Sequence, residues 1–99
     1  MTDFRAFIAA DVRLIILREL MGQADYRLNE VLLSRVLETF GHRKSRDYLR
    51  NQLRWLEDLG AVTLAEAGTV IIAELTRRGR DHVERRVVIE GIARPSPEA

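Results

Sequence analysis

The stretch Ser45–Gly60, SRDYLRNQLRWLEDLG, decides the reading of this chain, because at 3.6 residues per turn its side chains separate into two faces. Leu49, Leu53, Leu56 and Leu59 share one side with Tyr48 and Trp55, while Arg46, Arg50 and Arg54 run at four-residue spacing along the other. The pattern predicts a helix over 45–59 with one face in a core and an arginine stripe in water. Upstream, Asn29 offers an N-cap to EVLLSRVLETF, whose apolar stripe is Leu32, Leu33, Val36, Leu37 and Phe40, and Gly41 stops it. His42, Arg43 and Lys44 then form a tight turn, Ser45 caps the striped helix, and Asp47 sits in its first turn where the helix dipole favours an anion.

Further out, Asp3 to Met21 carries Phe4, Phe7, Ile8, Val12, Ile15, Ile16, Leu20 and Met21 at helical spacing, with Thr2 or Asp3 as cap and Gly22 as stop. After the striped helix, Val62 and Leu64 alternate with small or polar residues, Ala67 and Gly68 supply a turn, and VIIAEL returns as a hairpin. The connector QADYRLN has room for one very short extended piece packing against that hairpin. Thr76 caps a last helix, TRRGRDHVERRVV, although Gly79 costs it about 1 kcal/mol of propensity against alanine. The predicted order is helix, short strand, two helices, two strands and a helix. That is the plan of a winged helix-turn-helix, mainly α with a small β-hairpin. The domain is expected over 1–90, and the last residues, IEGIARPSPEA, contain Pro95 and Pro97 and no periodicity, so a loose tail is expected over 91–99.

Ninety-nine residues suit one compact domain, and 46% apolar with 31% charged residues is a globular composition. A net charge of +1 gives no strong overall positive field, so any nucleic-acid site must come from local clustering. The absence of cysteine excludes disulfides and thiolate metal sites. The run VRLIIL at 12–17 is too short and too interrupted, by Arg13 and then Arg18, for a membrane span, and with no export or lipidation motif a cytoplasmic protein is expected.

Between residues 42 and 55, Arg43, Lys44, Arg46, Arg50 and Arg54 face a single anion, Asp47. A major groove about 12 Å wide admits such a helix, and guanine offers arginine a bidentate acceptor. Arg46 and Arg50 are placed for base contacts, Asn51 for an adenine or a phosphate, and Arg43, Lys44 and the capped turn at Ser45 for the backbone of double-stranded DNA. The competing reading is a solvated face in which Arg50 pairs with Asp47, and Arg54 with Glu57 or Asp58, at about 0.2–0.5 kcal/mol each. The hairpin tip, Glu66, Ala67, Gly68 and Thr69, holds no cation, so Gly68 and Thr69 of this wing are expected to add little to DNA contact.

A second basic group, Arg77, Arg78, Arg80, Arg85 and Arg86, is read as a solvated helix end. Val87, Val88, Ile89 and Ile92 either fold back on the first helix or meet the same patch of a second chain as a homodimer. Trp55 is expected to pack the striped helix against the hairpin, and His42 and His82 to be ordinary surface histidines. No phosphate loop, serine elbow or carboxylate pair is present, so an enzyme, a cofactor, a metal and a small-molecule substrate are not expected.

The segments VRLIILREL, DYRLNEVLL, GHRKSRDYLRNQLRWLEDLGAVTL and ELTRRG together resemble a small winged-helix family of Mu-like transposable phages and prophages, loosely similar to ArsR-type regulators. The likeness covers nearly the whole chain. It implies a winged-helix fold and a DNA-binding, regulatory role in a phage, carried by Ser45, Arg46, Arg50 and Arg54. The metal-sensing cysteines of ArsR-type repressors are missing. The function expected is therefore a sequence-specific DNA-binding transcriptional regulator. The alternative is a winged-helix protein adaptor within a phage-encoded assembly.

Overall fold

A computed structural model of the protein describes residues 3–97, so Thr2, one of the two candidate caps, lies outside the described residues. Four helices and three strands succeed one another as α1 (Phe4–Met21), β1 (Arg27–Asn29), α2 (Glu30–Thr39), α3 (Arg46–Asp58), β2 (Val62–Ala67), β3 (Val70–Leu75) and α4 (Arg77–Val83). Each helix begins where a short polar side chain meets its orphan backbone N–H groups. Asp3 accepts from the Arg5 amide, Asn29 from Leu32, Ser45 from Tyr48 and Thr76 from Gly79.

The hairpin is part of a larger sheet. β3 is its centre, antiparallel to β2 from Val62↔Leu75 to Ala67↔Val70 and to β1 from Arg27↔Glu74 to Asn29↔Ile72. The short extended piece expected in the connector is β1. Its pairing delivers Asn29 and Glu30, the cap and first residue of α2, to the flank of β3.

Leucines and isoleucines from every layer meet in one core: Ile16, Leu17 and Leu20 of α1, Leu33 and Leu37 of α2, and Leu49, Leu53 and Leu56 of α3, closed by Val62, Ala73 and Leu75 of the sheet. The buried face of α3 is the one its periodicity marks. The stripes of α1 and α2 are only partly buried. Phe4 and Phe7 stay 72% and 64% exposed, and Phe40 60%, with Leu32 outside as well. Gly79, unfavourable for a helix, is there for close approach, since a Cβ would sit 2.3 Å from the Ala61 carbonyl oxygen.

Three helices end in the same closure. The Gly41 and His42 amides donate to Glu38 and Leu37, Gly60 and Ala61 to Glu57 and Leu56, and Arg85 and Arg86 to His82 and Asp81. The first residue of each pair is left-handed, at φ +88 for Gly41, +78 for Gly60 and +65 for Arg85. Glycine takes that conformation freely, whereas a side-chain-bearing residue costs about 1–2 kcal/mol.

This closure ends α4 at Val83, five residues short of the helix expected through Val88. The chain turns back because Ile89 and Ile92 enter the core, at 1% and 5% exposure. His82 pins the turn. Its buried ring accepts from the Ile89 amide at Nδ1 and donates from Nε2 to the Ala93 carbonyl, while the Ala93 amide reaches Ala10 of α1. A loose tail from residue 91 is therefore not what forms over 91–95, where Ile92 and Pro95 are buried; residues 98 and 99 lie outside the described residues.

Candidate functional site

The arginines of α3 turn towards an acid that their own helix does not carry. Glu30, 2% exposed, projects from the start of α2 into the angle between α3 and the hairpin. Arg50 grips it with two parallel hydrogen bonds, Nε to Oε1 and Nη2 to Oε2, both 2.8 Å. Arg46 approaches the same two oxygens at 3.3 and 3.4 Å, and the Ile71 amide of β3 donates to Oε2 at 2.6 Å. Both guanidinium groups also donate to the Thr69 carbonyl at the wing tip, Arg50 at 2.8 Å. One carboxylate thus joins α2, α3 and the wing.

The charges show how tightly the group is held. The hydrogen bonds from Arg50, helped by Ile71 and Arg46 and opposed by burial, pull the Glu30 carboxyl down to about 2, and the same contact raises Arg50. Stripping the arginines away would leave a charge buried without a partner, at a cost of about 3–5 kcal/mol.

The candidate residues of the striped helix and the wing fall into different surroundings. Ser45 caps α3. Arg43 is exposed, and the Lys44 ammonium lies 5.0 Å above the Tyr48 ring. Arg46 keeps 53% of its side chain exposed and Arg50 26%, both engaged with Glu30. Asn51 is exposed. Arg54 lines a cleft of about 360 Å³ with Glu57, Asp58 and Glu66 around it. Gly68 and Thr69 form the turn that the two arginines hold. Beside that turn, a cleft of about 460 Å³ is lined by Arg46, Arg50, Asp47 and Glu66 among others. With Glu30 beneath, two cations face three anions, so the local positive surplus counted along 42–55 does not survive folding on this side.

Comparison with known proteins places the chain. It is 38% identical over 92 residues to the uncharacterized protein gp26 of Escherichia phage Mu, covering 93% of this chain and 95% of that one. The chain belongs to the gp26 family of Mu-like phages. An uncharacterized protein of Haemophilus influenzae is 36% identical over 77 residues, 77% of this chain and 74% of its own length. The chain matches no protein-family profile and no solved structure. The resemblance to proteins of Mu-like phages seen in the sequence therefore holds. Among the described residues no helix is long and apolar enough to cross a membrane.

Two expectations for this gp26-family chain are corrected, and with them one pairing of the competing reading. Neither histidine is an ordinary surface group: His82 is 1% exposed, and the half-buried His42 meets Asp11 of α1 through Nε2 at 2.7 Å. Trp55 packs on α1 and the C-terminal segment. Its ring carries the Arg13 guanidinium at 3.6 Å and lies against Gly91, while Arg13 also donates to Gln52 at 2.7 Å and to the Gly91 carbonyl at 2.9 Å. Arg50 does not pair with Asp47 by hydrogen bond or short ion pair; Glu30 takes that place.

Glu30 itself is not visible as a site residue in the sequence. It stands behind its cap Asn29 as an ordinary first-turn acid, and its partners lie 16, 20 and 41 residues away. The available signal was a charged residue at the start of an amphipathic helix, followed by a helix with a stripe of three arginines.

Proposed function

We propose that this is a winged-helix protein that works as a docking module within a phage-encoded assembly, binding another protein rather than reading bases with α3. The winged-helix assignment is supported by the order of elements and by a sheet in which β1 and β2 flank β3. One observation carries the docking role: Phe4, Phe7 and Phe40 are 60% or more exposed. Phe7 precedes Asp11 by one turn of α1, Phe40 precedes His42 by two residues, and the Asp11–His42 contact draws these two places together. Exposed apolar groups gathered on one side mark interaction surfaces, and aromatic residues are enriched at interface centres.

Weighing against the DNA reading, Arg46 and Arg50, its residues for base contacts, are engaged with Glu30. That reading keeps Arg43, Arg54 and Asn51, exposed on or beside α3, which is the observation that favours it as the second reading. Co-purification from cells carrying the phage separates the two. A phage-encoded protein is expected to co-elute with the wild type and to be lost on Phe7→Ser with Phe40→Ser, the far-ultraviolet circular dichroism being unchanged. The opposite result is duplex binding with a log–log salt slope of about −3.6, as for about four phosphates, that vanishes when Arg43 and Arg54 become glutamate and survives the phenylalanine changes.

A further inference from the structure

Of the three helices that share one closure, α2 and α3 set glycine at the left-handed residue and α4 sets Arg85 there. The Arg85 side chain is exposed and makes no hydrogen bond or ion pair within the described residues. It occupies a position where glycine would be relaxed. It stands between two adjoining clefts, of about 360 and 160 Å³, that share Arg85 and Pro95. Arg18 of α1 lines the larger and Arg94 the smaller, and among the described residues the side chains of these two also lack a partner. The adjacent anion, Glu84, is held by Arg86 at 2.8 Å. Much of the remaining wall is apolar, including Val87 and Val88 at 37% and 50% exposure.

We propose that this double cleft binds an acidic segment of a partner protein, with its carboxylates on Arg85, Arg18 and Arg94 and its apolar side chains on Val87, Val88 and Pro95. The guanidinium fork matches a carboxylate bidentately, and among the described residues no acid pairs with any of these three groups. A nucleic-acid backbone would satisfy the arginines and gain nothing from valine and proline. A peptide alternating carboxylates with apolar side chains satisfies both. The cleft is separate from the phenylalanine face, since Arg18 lies eleven residues beyond Phe7, about 16 Å along α1, so this inference goes beyond the docking role and fails independently of it.

The test uses the full chain and a fluorescein-labelled dodecapeptide, Glu-Glu-Leu repeated four times, beside its Gln-Gln-Leu counterpart, read by anisotropy. The acidic peptide is expected to bind about tenfold or more tightly than the neutral one, and Arg85→Gly or Arg18→Gln with Arg94→Gln to remove that preference. Arg85→Gly is the informative variant, because its thermal midpoint is expected to equal or exceed the wild type's, which separates lost binding from lost folding. Equal affinity for the two peptides, or unchanged affinity in Arg85→Gly, overturns the proposal. So does a short DNA duplex that displaces the acidic peptide and binds more tightly through the same arginines.

Discussion

Two groups of arginines in this protein do opposite things. At the junction of α2, α3 and the wing, Arg46 and Arg50 converge on one buried carboxylate and a wing-tip carbonyl. At the end of α4, Arg85 stands with Arg18 and Arg94 around a cleft where, among the described residues, no acid pairs with them. In the sequence Arg46 and Arg50 look like the binding surface, and Arg85 looks like part of a solvated helix end. Folding pairs the first group with a distant acid and leaves the second without one among the described residues, because whether a cation is free depends on which acids the chain folds onto it, and such acids can be far away in sequence. A guanidinium already in a bidentate pair has little left to offer a ligand, whereas an unpaired one beside an apolar wall does.

The hardest blow to this contrast falls on Glu30. Glu30→Ala removes the common acceptor and leaves two arginines and the Ile71 amide without it; a loss of about 3–5 kcal/mol is expected in urea unfolding. A loss under about 1 kcal/mol would mean the arginines are free in solution after all, and would restore α3 as a candidate base reader.

The same acid sets a pH signature. Its folded-state carboxyl titrates at about 2 against an ordinary 4.5, so its stabilisation is fully present above about pH 4.5 and drains away as pH falls towards 2. Unfolding free energies measured from about pH 6 down to about pH 2.5 should fall more steeply for the wild type than for Glu30→Gln. Parallel curves would dissolve the link.

On the other side of the comparison, His82 holds the segment that forms the second cleft. His82→Ala strands the Ile89 amide and the Ala93 carbonyl, and a loss of about 2–4 kcal/mol is expected, with hydrogen exchange accelerated over 89–95. Exchange unchanged in that segment would show that Ile89 and Ile92 suffice to hold it. The smallest effect belongs to Arg85→Gly, which relaxes a left-handed residue; a gain of up to about 1 kcal/mol is expected from thermal unfolding. A clear loss would give the arginine side chain a part in the fold and remove the reason for treating it as free.

Much of the architecture is legible because it is written locally. Asn29, Ser45 and Thr76 cap the helices they precede, Gly41 and Gly60 close the helices they end, and the leucines of 49–56 mark the buried face of α3. The short strand expected before α2 forms, as the third member of the sheet. Legibility ends where part of an apolar face stays uncovered or the chain turns back into the core. Phe4, Phe7 and Phe40 keep to the helical period and remain exposed, since periodicity shows which face would be buried but not whether anything covers it. The segment after Val83 puts Ile89 and Ile92 into the core at the expense of its last helical turns, a trade between local propensity and burial that propensity alone cannot reveal.

The sequence by itself determined the elements, their order, their caps and the buried side of α3, because these depend on side chains within about one helical turn of one another. Only the tertiary structure decided which charges are spent and which remain. Glu30 meets Arg46 and Arg50 across 16 and 20 residues and Ile71 across 41, His82 reaches Ile89 and Ala93, and Arg85 meets no acid among the described residues. Electrostatic pairing depends on distance in space, and distance in space is what the packing of the core sets.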